Sequence, residues 1–231
     1  MSRDTCAFIR RDACTGLELS QLVGRWTWAC LVRRPAFAAF SAVYRFIERA
    51  AYRRFKLWSS VKRELLVIAG LAPLLQTSLS LSWFPDVVAT DASEFGLGVV
   101  AATIGQSAAI AASAGDRPVH GLGQWRTIVS SEWAYLEHIN VLELRAVSTA
   151  LRWVLSRPTS VSSRLLLLCD SQVVVGAINK GRSSSQDVLR CLRSVSALVL
   201  ASGMQMFVRW VPSQDNPADE PSRGIYRDRC A

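Results

Sequence analysis

The sequence predicts an α/β protein, a mixed sheet with helices against it, preceded by a small helical segment. Three observations carry this prediction. Residues 86–231 alternate short β-type runs with amphipathic helical stretches, in the order β-β-β-α-β-α-α-β-α. The run Leu165-Leu166-Leu167-Leu168-Cys169 is continuously apolar, as a central strand covered on both faces must be. Residues 1–85 instead carry apolar residues at helical spacing.

The first helical stretch is Leu17 to Val32, ended by Pro35. Next, Phe37, Phe40, Tyr44, Ile47 and Ala51 fall on one stripe of a helix, with Arg45, Arg49, Arg53 and Lys56 on its opposite side. Another helix covers Ser60 to Leu75, broken near Pro73. Pro85 marks the boundary, which divides the chain into 1–85 and 86–231.

In the second part, Val87 to Thr90 is the first strand, and Gly96 and Gly98 make a turn into the second, Val99 to Thr103. The Ala/Ser/Gly-rich stretch 105–123 has no assignable pattern, and Gln124 to Ile128 reads as a third strand. A helix follows over Leu142 to Leu155, with Pro158 past its end. After the Leu165–Cys169 strand comes a helix over Gln172 to Asn179, with Ser171 as N-cap and Gly181 beyond it. Gln186 to Ala201 is a further helix, stopped by Gly203, and Met204 to Val211 alternates as a strand. Asn216-Pro217 reads as an N-cap with Pro at N1, opening a last short helix.

Composition narrows the function classes. Half of the 231 residues are hydrophobic and 19% are charged, which excludes a disordered chain. The longest apolar run, Leu65 to Leu75, contains Gly70 and Pro73 and is far short of the ~20 residues of a membrane span. Met1 to Cys6 has no apolar core, so no signal peptide is expected, and the protein is placed inside the cell, in cytoplasm or nucleus. The six cysteines form no CxxC pair, which leaves a zinc site unsupported and favours buried, reduced thiols. The net charge of +9 is uneven. Residues 1–85 hold thirteen Lys/Arg against five Asp/Glu, a net +8, which suits a polyanionic partner; a solvated basic face is the plain alternative.

Four acids sit at element ends: Asp91, Glu143, Asp170 and Asp219. Neighbouring strand ends in an α/β sheet open onto one crevice, so four elements could bring these carboxylates together. Like charges at close range repel, and a pair of Mg²⁺ ions resolves the conflict, because hard cations take oxygen ligands. Two ions ~4 Å apart can position an attacking water and stabilise the leaving oxygen of a phosphodiester. Each acid also has a local reading. Asp91-Ala92-Ser93 fits a turn, Asn140 to Glu143 a capping box, Asp170-Ser171 a cap, and Asp219-Glu220 the dipole of a helix N-terminus.

The same segments resemble a known family. Thr90-Asp91-Ala92-Ser93-Glu94-Phe95-Gly96-Leu97-Gly98-Val99 is similar to the first hairpin of type 1 ribonucleases H. Glu143-Leu144-Arg145-Ala146 resembles the helix with that family's catalytic glutamate, and Leu168-Cys169-Asp170-Ser171-Gln172 its third acid after strand four. Asn216-Pro217-Ala218-Asp219 resembles its final element. The ending Asp219-Glu220-Pro221-Ser222-Arg223 resembles retrotransposon versions, DIRS-like elements most of all.

The resemblance spans about residues 86–224. It implies a ribonuclease H-like five-stranded mixed sheet, two Mg²⁺ (or Mn²⁺) ions held by Asp91, Glu143, Asp170 and Asp219, and endonucleolytic cleavage of RNA in an RNA–DNA hybrid. Ser93, Glu94, Ser171 and Asn179, on turns facing the crevice, are candidate contacts to backbone or 2′-hydroxyl. Lys180, Arg182 and Ser183, basic and hydroxyl side chains at a helix C-terminus, are candidates for a minor-groove track of DNA phosphate contacts.

Residues 1–85 resemble the thumb and connection region that precedes ribonuclease H in such reverse transcriptases, through Trp58 to Leu65 and Pro73-Leu74-Leu75. Arg45, Arg49 and Arg53 would then face a duplex backbone. No Tyr-x-Asp-Asp motif occurs, so any polymerase domain is absent from this chain.

One departure stands out. The family often carries a mobile histidine in the loop before its last helix, where this chain has Pro212-Ser213-Gln214-Asp215; His120 and His138 lie elsewhere and read as surface or loop residues.

Rival readings are a catalytically inactive nucleic-acid-binding remnant, a 3′–5′ exonuclease of the same superfold, and a dinucleotide-binding oxidoreductase. The exonuclease pattern D-x-E is displaced here, with Ser93 where its glutamate would stand. Gly96-Leu97-Gly98-Val99-Val100-Ala101 matches G-x-G-x-x-A, but a strand rather than a helix follows it.

Overall fold

A computed structural model describes residues 1–114 and 122–225. His120, whose placement as a surface or loop residue was expected, lies outside these. The chain separates into two compact units. The first is Met1–Ser78 with Lys180–Arg182, and the second is the chain from Leu79 onward without those three residues.

The first unit is helical: α1 (Ser2–Ile9), α2 (Gly16–Val32), α3 (Ala42–Ala50) and α4 (Ser59–Leu71), with a two-stranded ribbon of β1 (Ala13–Cys14) and β2 (Phe55–Lys56). Helix α2 opens on a capping box. Thr15 Oγ1 accepts from the Glu18 N–H at 3.1 Å, and Glu18 Oε2 accepts from the Thr15 N–H at 2.7 Å. The core holds Trp26 and Phe46, both fully buried, with the Trp26 indole donating to Thr5 Oγ1 at 2.9 Å.

Here the expected long helix is shorter. Phe37 belongs to a 3₁₀ turn, Arg34–Ala39, and a new helix starts at Ala42. The reason is tertiary. The Glu64 carboxylate accepts the N–H groups of Ser41, Ala42 and Val43 at 2.9–3.0 Å, and so starts a helix there. The buried face of α3 is Ala42, Val43, Phe46 and Ala50 rather than the Tyr44/Ile47 stripe. Arg45 and Arg49 stay on α3, but Arg53 lies past its end and Lys56 in β2; all four are exposed.

The second unit contains a five-stranded sheet in the order β5 (Arg126–Glu132), β4 (Gly96–Thr103), β3 (Asp86–Ala92), β6 (Arg164–Cys169) and β7 (Gln205–Trp210). Strands β3, β4 and β5 run antiparallel as a meander, while β6 and β7 add parallel to β3. This is the mixed five-stranded α/β architecture that the sequence predicts, and Leu165 to Cys169 are all buried as its inner strand.

Helix α6 (Ile139–Leu155) packs on β3 and β4, and α8 (Gln186–Ala201) packs on α6. The α5 helix (Gln106–Ala114) covers the first part of the 105–123 stretch, of which 115–121 lie outside the described residues; its Ala109 and Ala112 join Val87, Ala89, Val100, Leu166 and Leu168 in one apolar cluster. Helix α7 (Gln172–Lys180) follows β6, and α9 (Asp219–Ser222) lies on β4. No helix among the described residues is long and apolar enough to cross a membrane.

Three local expectations are corrected. Gly96 and Gly98 lie inside β4, not in the turn before it. At Gly98 a Cβ would sit 2.4 Å from the Ala218 carbonyl oxygen and 2.7 Å from the Ser222 nitrogen, so this glycine is there to let α9 approach the strand. Asp91 lies within β3 rather than after it. The last helix is capped at Ala218, not at Asn216, because the Asn216 side chain is used elsewhere.

Candidate active site

Strand register brings the first two acids together. Thr90 of β3 pairs in parallel with Cys169 of β6, so the next residues on each strand, Asp91 and Asp170, emerge side by side and their carboxyl groups share a hydrogen bond. Glu143 reaches the same place from α6, where its carboxylate accepts the Ala92 N–H. The expected capping box is not formed. The N-cap of α6 is His138, whose Nδ1 accepts from the Asn140 N–H at 3.2 Å, which leaves Glu143 past the first turn with its side chain turned inward. Asp219 is the first residue of α9.

That short helix is tied down at several points. Asn216 Nδ2 donates to the Thr90 carbonyl at 3.1 Å, and Asn216 Oδ1 accepts from the Ala218 N–H. Ser130 Oγ donates to the Pro221 carbonyl at 2.6 Å, and Ser93 Oγ to the Ser222 carbonyl at 2.8 Å.

Asp91, Glu143 and Asp170 therefore gather at the strand ends, and the charge of Asp219 reaches Asp91. Asp91 and Glu143 are 5% and 7% exposed, and Asp170 and Asp219 are half-buried. Burial pushes the Asp91 carboxyl up to about 6, helped by the charges of Asp170 and Asp219 and opposed by a hydrogen bond from Ser222. Glu143 is pushed up to about 9 by burial and then by the charges of Asp91 and Asp170, against the opposing Ala92 N–H. Glu143 Oε2 and Asp170 Oδ1 are buried with no hydrogen-bond partner.

Ligand atoms of Glu143, Cys169 and Asp170 lie within 4.8 Å of one another. The Cys169 thiol is held protonated, first by burial and then by Glu143. A soft, protonated thiol is a poor ligand for a hard cation, so the useful donors are the carboxylate oxygens. Unpartnered buried oxygens from two acids, Glu143 and Asp170, are a donor set suited to a hard divalent cation.

The remaining expected contacts divide. The Ser93 hydroxyl is committed to the β3–β4 turn, where it accepts from the Phe95 and Gly96 N–H groups at 3.1 Å while it anchors Ser222. Glu94 projects from that turn and is exposed. Ser171 caps α7, its Oγ accepting from the Val174 N–H. Asn179 and Lys180 are exposed at the end of α7, and Arg182 is exposed just beyond. Arg45, Arg49 and Arg53 are exposed on the first unit.

Sequence reasoning missed three residues at the carboxylates. The Ser222 hydroxyl serves both the Asp219 carbonyl and the Asp91 carboxyl. Arg223 Nη2 donates to Asp219 Oδ1 at 2.8 Å, a pair whose i,i+4 spacing was visible in the sequence. The Trp210 indole donates to the Asp170 carbonyl at 2.9 Å, and no local pattern points to it.

No protein-family model matches the chain, and no curated protein matches it. Many solved structures are similar to it, three of which follow. One is the N-terminal RNase H domain of a Mycobacterium tuberculosis protein, solved as a fusion with maltose-binding protein, at 16% identity and TM-score 0.41, covering 61% of this chain and 95% of that one. The second is LC11-RNase H1 in complex with an RNA/DNA hybrid, at 14% identity and TM-score 0.44, with the same coverages. The third is LC11-RNase H1 isolated from compost by a metagenomic approach, at 14% identity and TM-score 0.43, covering 61% and 94%.

Proposed function

We propose that the second unit is an endonuclease that hydrolyses the RNA strand of RNA–DNA hybrids. The observation that carries this reading is the gathering of Asp91, Glu143 and Asp170 from three separate elements, with Glu143 Oε2 and Asp170 Oδ1 buried and unpartnered and the charge of Asp219 reaching Asp91. Asp91, Glu143, Asp170 and Asp219 would hold two divalent ions, Mg²⁺ or Mn²⁺. Such ions, when bound, supply a water of lowered pKa and offset the charge on the departing 3′ oxygen.

The chain's own residues do the rest. Ser222 and the Ala92 N–H fix the Asp91 and Glu143 carboxyl groups, and Asn216, Ser93 and Ser130 hold the backbone around Asp219. Glu94, Ser171 and Asn179 would lie against backbone or the 2′-hydroxyl that tells RNA from DNA. Lys180, Arg182, Arg45, Arg49 and Arg53, all of the first unit, would meet duplex phosphates.

The retroelement setting, with a thumb/connection-like first unit and a partner polymerase domain absent from this chain, rests on the resemblance of residues 1–85 and of the ending Asp219 to Arg223.

The test is a labelled RNA–DNA hybrid incubated with the protein, with Mg²⁺ and with chelator. Internal, Mg²⁺-dependent cuts in RNA are expected. Asp170→Asn should abolish cleavage while hybrid binding is kept, and equal activity in that variant removes Asp170 from the site. The second reading is a binding remnant without hydrolysis. The Asp219–Arg223 ion pair favours it, since it occupies one oxygen of a needed carboxylate. Hybrid affinity with no Mg²⁺-dependent cleavage decides for that remnant.

A further inference from the structure

The four carboxylates are compensated in two different ways. Burial favours the protonated forms of Asp91 and Glu143. Asp219 instead has a guanidinium, Arg223 Nη2, at 2.8 Å from Oδ1. The Arg223 and Asp219 side chains are 57% and 31% exposed, so the pair lies at the rim of the site where water and ions reach it. Rim pairs of this kind are weak and exchangeable. The backbone beneath is not. The Ser222 carbonyl is held by Ser93 Oγ, and the Arg223 N–H donates to the Glu220 carbonyl. Arg223 therefore has a fixed root and a largely exposed side chain held by one rim contact. A guanidinium fixed at its root beside a phosphodiester site is well shaped to take phosphate oxygens once its carboxylate is withdrawn.

We infer that Arg223 is a positioning residue with two successive partners: it holds Asp219 while no cation does, and it turns to a substrate phosphate when a divalent cation takes the Asp219 carboxylate. This inference rests on the hybrid-cleaving reading above.

The test has a binding arm and a kinetic arm. In the binding arm, Ca²⁺ is titrated calorimetrically into the full chain without nucleic acid. Arg223→Gln should bind Ca²⁺ roughly twofold to fivefold more tightly than the unsubstituted protein, because a competing rim pair is gone. Arg223→Lys should stay near the unsubstituted value. In an Asp219→Asn background, Arg223→Gln should change nothing further.

In the kinetic arm, with Mg²⁺ and hybrid, Arg223→Gln should raise KM by a larger factor than it lowers kcat, with Arg223→Lys partly restoring KM. Unchanged Ca²⁺ affinity in Arg223→Gln overturns the inference, and so does an unchanged KM. If the unsubstituted protein binds Ca²⁺ but never cuts hybrid, the hydrolase reading fails by itself. If it cuts and Arg223→Gln behaves as unsubstituted, only the Arg223 role fails.

Discussion

The Asn216 side-chain amide donates to the Thr90 carbonyl at 3.1 Å, joining buried groups 126 residues apart in the chain. Its Oδ1 accepts the Ala218 N–H at the same time, so one side chain ties the approach of α9 to the strand that carries Asp91. Asn216→Ala leaves the buried Ala218 N–H without its partner, at a cost of about 1–3 kcal/mol. Thermal unfolding should show that loss. Cleavage should fall further than stability does, because Asp219 moves relative to Asp91. Retained activity at full stability would show that α9 is positioned without this link.

Gly98 gives a sharper steric test. Gly98→Ala puts a methyl group 2.4 Å from the Ala218 oxygen and 2.7 Å from the Ser222 nitrogen, both backbone atoms. Helix α9 must then lift from β4 and carry Asp219 with it. Displacing one reacting group by about 1 Å can cost about 10²-fold in rate. The expected result is a far-ultraviolet circular dichroism spectrum like that of the unsubstituted chain with cleavage reduced by about that factor. Full activity in Gly98→Ala would mean that α9 does not need to lie so close.

The mixed five-stranded sheet of the second unit was legible because its signals are local. A short all-apolar run bounded by turn signals reads as an inner strand, whereas the place of Asp91 inside β3 and of Glu143 past the first turn of α6 did not follow from the expected boundaries. What was misread depended on distant partners. Gly96 and Gly98 look like turn glycines until α9 is seen against them. Asn216 looks like a helix cap until Thr90 takes its amide. The Phe37 to Ala51 stripe looks like one helix because nothing nearby in sequence shows that Glu64 starts a new one at Ala42. The basic face assigned to that helix was misplaced with it, since Arg53 and Lys56 follow its end.

Glu64 supplies its own prediction. Its carboxylate receives three N–H groups at the start of α3, from Ser41, Ala42 and Val43. Hydrogen bonds to a charged acceptor are the stronger kind, and α3 has no side-chain cap of its own at Ser41. Glu64→Ala should cost about 2 kcal/mol. Hydrogen exchange on the full chain should show faster exchange at the amides of residues 41–43, with the sheet amides of the second unit less affected. Unchanged exchange at those amides would mean that the helix starts for another reason.

The buried acids make stability depend on pH with a definite sign. Asp91 is pushed up to about 6 and Glu143 up to about 9, from ordinary carboxyl values near 4. Between the ordinary and raised values the folded chain binds more protons than the unfolded one, so stability falls as pH rises. Below about pH 4 both groups are neutral in both states and the penalty is absent. The Asp91 contribution is complete by about pH 6 and that of Glu143 by about pH 9. Glu18 and Glu137, whose values are lowered, act in the opposite sense, but only in the acid range below the ordinary glutamate value. In chelator, the thermal midpoint should therefore drop from about pH 5 to about pH 9. Glu143→Gln, which cannot ionise, should flatten the upper part of that slope and raise the midpoint at about pH 9. Ca²⁺ should raise it more at about pH 8 than at about pH 5, because protons and cation compete for the same oxygens. A midpoint that climbs with pH in chelator, or a Ca²⁺ effect equal at both pH values, would mean that these carboxyl groups are neither crowded nor available to a cation.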